Sequence, residues 1–204
     1  MSILTQGLSE LNIPWENRHI EKIRIFLAEL SLWNKKKRFV DASGKSLIIN
    51  HVLDSLSALP LLLRSEPGSL ADIGSGGGFP GILLSIFLEE TRFTLVERSS
   101  KKAAFLKVVS AELGLSNLDV FCGPAEQLRS SFSVVTARAC TRIDRIIQTF
   151  IGMIEEEGFI LLYKGKSETI EDEMSRVDLG DRHWKKNSVH VPFSDRERHL
   201  VVIY

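Results

Sequence analysis

Between Glu16 and Asn34, apolar residues return every three or four positions: Ile20, Ile23, Phe26, Leu27, Leu30 and Trp33. That spacing marks one face of an amphipathic helix, and the basic run Lys35 to Arg38 ends it. The stretch "IINHVLDSLSALPLLL" predicts a second helix, interrupted or ended near Pro60, with "RSEPGS" as a linker. From Leu70 the texture changes. Short apolar runs, "LADI", "FTLVE", "LDVFC", "SVVTA" and "FILLYKG", predict strands. Helical stretches separate them: "PGILLSIFLE", "SKKAAFLKVVSAELGL" closed by Gly114, a short piece near "PAEQL", and "IDRIIQTFIGMIEEEG". A polar helix around "SETIEDEMSRV" follows, and two extended pieces, "SVHVPF" and "HLVVIY", close the chain.

Strands spaced by helices imply a parallel, doubly wound α/β sheet. Only the short loop "SDRER" joins the last two strands, which therefore read as an antiparallel hairpin at the sheet edge. A Rossmann-like, mostly parallel sheet of seven strands that ends in such a hairpin is the plan of the class I S-adenosylmethionine-dependent methyltransferase fold. A dinucleotide-binding domain usually stays parallel. The expected organisation is a helical N-terminal region over 1–68 and a cofactor-binding domain over 69–204. A chain of 204 residues has room for one domain with a good core and a small appendage.

Composition narrows the function classes. With 26 basic and 26 acidic residues, the chain carries no net charge, whereas a sequence-blind nucleic-acid binder is usually basic. Any nucleic-acid contact must then come from local patches. Cys122 and Cys140 form neither a disulfide framework nor a metal-ligand spacing, so no metal is expected and a reducing cytoplasm is the simplest location. The N-terminus lacks a basic-then-apolar signal pattern, and no uninterrupted apolar run reaches the roughly 20 residues that span a bilayer. No membrane partner is expected, and the chain is expected to act as a monomer.

The segment "DIGSGGGFPG", Asp72 to Gly81, stands where the first strand turns into a helix. In open α/β sheets that crevice binds ligands, and glycine lets backbone approach them. Gly74, Gly76 and Gly78 give Gly-x-Gly-x-Gly, whereas the dinucleotide fingerprint places a third glycine where Phe79 stands. Phe79 offers an aromatic edge, which favours S-adenosylmethionine over a pyrophosphate-bearing cofactor. Glu97 ends the second strand, where a carboxylate accepts the hydroxyls of an adenosine ribose. Ala125 and Glu126, after the third strand, fall beside the adenine. Each has a plainer reading, as a tight turn, an exposed charge or a helix start. Together they make a cofactor pocket.

With these residues in place, the chain resembles the RsmG/GidB family, bacterial methyltransferases that modify N7 of a guanine in 16S ribosomal RNA. The resemblance rests on "NHVLDSL", "DIGSGGGFPGILLSI", "LVERSSKKAAFL", "AEQL", "VVTARA", "YKG" and "ERHLVVIY", and covers nearly the whole chain. It implies S-adenosyl-L-methionine as cofactor and 16S rRNA or the small ribosomal subunit as partner. It also implies cofactor contacts at Gly74, Phe79, Ala125, Glu126 and Arg138, with Glu97 matching the family's acid. Two positions depart from the family pattern: Arg38-Phe39-Val40, where the family often has Asn-Leu-Thr, and Asn50, where it often has a basic residue. Both are expected on the RNA-facing side.

Guanine N7 carries a lone pair and no proton, so its methylation needs positioning and no general base. Consistent with that, the segment "VVTARACTR" after the fourth strand lacks the Asp/Asn-Pro-Pro-aromatic motif of amino-group methylation. Arg138 is the catalytic candidate: arginine donates to guanine O6 or to a carboxylate and cannot act as base. Cys140 raises a rival, the cysteine nucleophile of cytosine C5 methylation, but it lacks the usual preceding proline. Cys122 is expected in the core. His51 and Asp54 share a helix face and, with Lys164 and Arg198, are the candidate substrate residues. Lys35 to Arg38, Lys101 with Lys102, and Lys185 with Lys186 are candidate phosphate contacts. Two other functions fit the same pocket. One is methylation of a small molecule or protein; the other is a non-catalytic cofactor-binding RNA assembly factor.

Overall fold

The computed structural model describes residues 2–138 and 143–204. Cys140 lies outside the described residues, and so do the side chains of Lys36 and Lys37. The chain opens with α1 (Ile3–Glu10) and α2 (Asn17–Lys37). In α2 the stripe seen in the sequence is the buried face: Ile23, Phe26 and Leu30 lose essentially all solvent contact. Arg38 stops the helix in a left-handed conformation. The second helical stretch is one run with an unexpected centre. It comprises α3 (Gly44–Leu47), a π-helical turn (Ile48–Leu53), α4 (Asp54–Leu56) and α5 (Leu59–Ser65). Pro60 lies in the first turn of α5 rather than ending a helix, where its missing N–H has no partner to lose.

Seven strands then alternate with helices. They are β1 (Ser69–Ile73), β2 (Arg92–Glu97), β3 (Leu118–Cys122), β4 (Phe132–Arg138), β5 (Ile154–Lys164), β6 (Trp184–Ser188) and β7 (His199–Ile203). Between them run α6 (Gly81–Phe87), α7 (Ser100–Glu112), a 3₁₀ turn at Ala125–Gln127, α8 (Ile143–Ile151) and α9 (Ser167–Met174). The sheet order is β3-β2-β1-β4-β5-β7-β6, with β7 antiparallel to both neighbours. Order reverses between β1 and β4, so the crevice for a ligand opens there, at the carboxyl ends of the strands.

Alternation along the strands divides the core into two layers. Leu70, Leu161 and Leu200 face a cluster that includes Leu8, Phe26, Leu53, Leu59 and Phe105. Ala71, Ile160 and Val201 face a second cluster built with Ile147, Phe150 and Ile170. The helices before Ser69 thus share one continuous core with α6, α7 and the sheet. Gly44–Ser65, a helical run of 22 residues, is long and apolar enough by length and composition to cross a membrane, although no single apolar run within it is. More than half of its most apolar window is buried in this core.

Two boundaries and the burial of one residue differ from expectation. The helix predicted through "IEEEG" ends at Ile151, and β5 starts at Ile154. Gly152 closes that helix, and the Phe132 N–H donates to Met153 O, drawing the following segment into the sheet. The first hairpin strand is Trp184–Ser188 rather than "SVHVPF". Pro192 has no N–H for the ladder, and Phe193 takes a left-handed φ of 64°, so pairing stops near Val189. The connection to β7 is consequently longer than "SDRER". Cys122 is exposed rather than core, because it ends the edge strand β3.

Candidate active site

The glycine loop is held from both sides. Gly74, Gly76 and Gly78 have φ of 76°, 55° and 90°, a region that side chains with a Cβ avoid. Beside Gly74 the space is open. Behind Gly78, a Cβ would meet Ile82 at 2.9 Å and Phe26 at 3.1 Å, so α2 and α6 press the loop forward. Below it, Asp72 is fully buried; its Oδ2 accepts from Gly81 N at 3.0 Å and its Oδ1 has no partner among the described residues. Burial pushes the Asp72 carboxyl up to about 6, against the opposing effect of its hydrogen bonds.

Glu97 faces the loop from the end of β2. Its Oε2 accepts from Gly76 N at 2.9 Å and its Oε1 from Ser99 N at 2.8 Å. One carboxylate therefore braces two loops, and its remaining lone pairs are available to a ligand. Gly74, Glu97, Ala125 and Glu126 line one cavity of about 460 Å³, together with Ile73, Val96, Lys102, Ile146 and Phe150. The sequence placed those four residues together, and the fold brings them together. Apolar walls beside the Glu97 carboxylate match the two halves of an adenosine, a flat base and a diol.

Phe79 and Arg138 belong to a different neighbourhood. The Phe79 ring is only 5% exposed, because Phe26 and His51 rings lie 5.2 Å from it and the Arg138 guanidinium 5.3 Å. It is a packing hub between loop and N-terminal helices rather than an open edge. Arg138 ends β4 and reaches back across the cleft. Its Nη1 donates to Asn50 O at 3.2 Å and to Asp54 Oδ2 at 3.0 Å, and its Nη2 donates to His51 Nδ1 at 2.9 Å. Asp54 is 6% exposed and accepts from Arg198 Nε through its other oxygen at 2.8 Å. Burial first, then the Arg138 charge, pushes His51 down to about 4. The ring is therefore neutral at pH 7. Arginine only donates, so Nδ1 is the acceptor and Nε2 carries the proton.

These residues line a second cavity of about 370 Å³ with Tyr163, Lys164, Gly165 and Arg196. Lys164 pairs with Glu173 at 2.7 Å, and the Tyr163 hydroxyl donates to Ser55 O at 2.7 Å. His51, Asp54, Arg138, Lys164 and Arg198 thus form one group, from segments far apart in the sequence. Arg196, Asp72 and Tyr163 were not identified from the sequence, and Asn50 stood there only as a departure from the family pattern on the RNA-facing side. The signal for Asn50 is the π-helical turn, since such turns recur at functional sites; no sequence spacing announces one. Phe39 and Val40 are half-buried, not presented outward: Phe39 packs on Trp33 and Phe105, and Val40 closes on Gly77.

The basic patches do not gather at one rim. Lys102 lines the first cavity, while Lys186 pairs with Glu171 and Lys185 lies over Tyr204 at the outermost strand. A larger cavity, about 930 Å³, opens between α2 and α3 and takes no residue from the strand ends; Lys35 and Lys45 are its charged lining. Among the described residues no three His, Cys, Asp or Glu side chains converge as a metal site would require.

The family model described as rRNA small subunit methyltransferase G (GidB) matches residues 19–201. The chain belongs to the GidB family. Relatives named ribosomal RNA small subunit methyltransferase G include one from Borrelia duttonii, 34% identical over 97% of this chain and 95% of its own length. Another, from Marinobacter nauticus, is 33% identical over 98% of this chain and 92% of its own. As a GidB family member the chain is an S-adenosylmethionine-dependent rRNA methyltransferase. Solved structures agree in fold. An O-methyltransferase from Bacillus cereus in complex with SAH superposes with a TM-score of 0.66 at 12% identity, over 97% of this chain and 95% of that one. A precorrin-6y C5,15-methyltransferase from Geobacter metallireducens gives 0.58 at 14%, over 80% and 92%. The open space beside Gly74, and the acid braced on the loop, suit the cofactor that the GidB family uses.

Proposed function

We propose that this chain methylates N7 of a guanine in 16S rRNA, with positioning as its whole catalytic contribution. Gly74, Glu97, Ala125 and Glu126 would hold S-adenosylmethionine, Glu97 at the ribose and Ala125 with Glu126 at the adenine. Bound there, the cofactor supplies an electrophilic methyl group. Arg138, His51, Asp54, Lys164 and Arg198 form the substrate side.

One observation carries the reading: apart from Asp54, the ionisable side chains that line the second cavity and are charged, together with neutral His51, present donors to a substrate. Arg138 and Arg198 only donate, and neutral His51 spends its Nδ1 on Arg138, which leaves Nε2–H. The one carboxylate in the lining, Asp54, is held between two guanidinium groups. The Hoogsteen edge of guanine presents two acceptors, N7 and O6. A cavity rich in cationic donors fits that edge, its one carboxylate is committed to two guanidinium groups, and N7 attack has no proton to remove. Substrates that must lose a proton, such as an exocyclic amine, fit this cavity poorly. The helical region 1–68 would support the target nucleotide through Asn50, His51 and Asp54. Methyl transfer to small subunits from cells lacking this protein, followed by nucleoside analysis, tests the assignment.

A further inference from the structure

We infer that the outer half of the second cavity is a subsite for an RNA backbone phosphate, with Arg196 as its principal contact and Arg198 as its fixed partner. The inference rests on the rRNA reading of the site and assigns a part of it that the reading leaves open.

Four cationic side chains line this cavity, Arg138, Lys164, Arg196 and Arg198, against one carboxylate, Asp54. In a chain with no net charge that is a local concentration of positive charge. The cations are graded by depth and by partner. Arg138 is 15% exposed, and Arg198, at 25%, is anchored through Nε to the same Asp54 carboxylate. Lys164 is neutralised by Glu173. Arg196 is exposed and makes no ion pair among the described residues. No neighbouring acid pairs with Arg196 among the described residues: Glu197 accepts from Ser167 N at 2.9 Å, Asp54 is doubly paired, and the exposed Asp195 forms no ion pair with it. Both arginines lie on the connection 189–198, where the early end of β6 leaves chain free to reach the cavity mouth.

A base taken out of its stack enters a pocket first, and its phosphate stays at the entrance. The inner donors then suit the base, and the outer guanidinium, free of acid partners, suits the phosphate, which arginine binds through its planar fork. A cavity of about 370 Å³ is large enough for both, at the small end of the ~300–1,000 Å³ range of ligand sites.

The test measures binding of full-length protein to small subunits from cells lacking this protein, and to in vitro transcribed 16S rRNA where wild type binds it, across a salt series for wild type, Arg196→Gln and Arg196→Lys. Arg196→Gln should weaken binding about fivefold at low salt and reduce the slope of log affinity against log salt by roughly 0.7–0.9. Arg196→Lys should keep most of the slope. Calorimetric S-adenosylmethionine affinity should stay at the wild-type value for both. An unchanged slope in Arg196→Gln, with wild type binding normally, overturns the phosphate subsite alone. Wild type that neither binds nor methylates small subunits or naked 16S rRNA overturns the rRNA reading and this inference with it.

Discussion

Asp54 and Glu97 do comparable work at opposite ends of the cleft: each is a carboxylate shared by two donors. Removing Asp54 leaves Arg138 and Arg198 without their counter-ion in a largely buried place. Asp54→Ala should cost roughly 3 kcal/mol of stability by urea unfolding; an unchanged midpoint and slope would show that the pairs contribute nothing. Glu97→Ala should weaken S-adenosylmethionine binding by about 1–3 kcal/mol, since the Gly76 and Ser99 amides lose their acceptor along with the ribose. Equal affinity on calorimetry would remove Glu97 from the site. His51 and Asp72 oppose each other in their response to acid. His51 is held near 4 when folded and titrates near 6.5 when unfolded, so its share of stability is lost as pH falls from about 6.5 toward 4. Asp72, raised to about 6, takes up its proton first in the folded state, and its share grows as pH falls through that value. In His51→Gln only the second effect remains. Its stability relative to wild type should therefore rise as pH drops from 6.5 to 4, and a pH-independent difference would contradict the assignment.

Helix α2 and the π-helical turn show what an element adds beyond its residues. The stripe on α2 was legible because burial of one helix face imposes its period on the sequence. What it buries was not legible: Phe26 presses on Phe79 and on the back of Gly78, so the helix shapes the glycine loop. Phe26→Ala should cost about 3–5 kcal/mol, measured by denaturant unfolding; a loss below 1 kcal/mol would mean that the contact is dispensable. The glycine loop, the acid after β2 and the turn after β3 were legible because one strand-to-helix crevice gathers them at fixed topological places. Arg196 and the carbonyl contact of Asn50 were not. Arg196 depends on where β6 stops, which Pro192 and the left-handed Phe193 decide, and Asn50 acts through its carbonyl, which any residue possesses.

At the scale of the whole molecule, one sheet separates two layers of core, and both cavities open at the same strand ends. The helices before Ser69 complete the site by supplying Asn50, His51 and Asp54 to an arginine from β4. Net neutrality with a cationic pocket fits an enzyme that reads one nucleotide in a structured particle better than one that coats RNA. The measurement that tests this account most directly is radiolabelled methyl transfer from S-adenosylmethionine. Its substrates are small subunits from cells lacking this protein and, alongside them, naked 16S rRNA; the labelled nucleoside is then identified by mass spectrometry. The account predicts label in 7-methylguanosine. Label in 5-methylcytidine or in a methylated exocyclic amine, or no label from a protein that binds the cofactor, would contradict it.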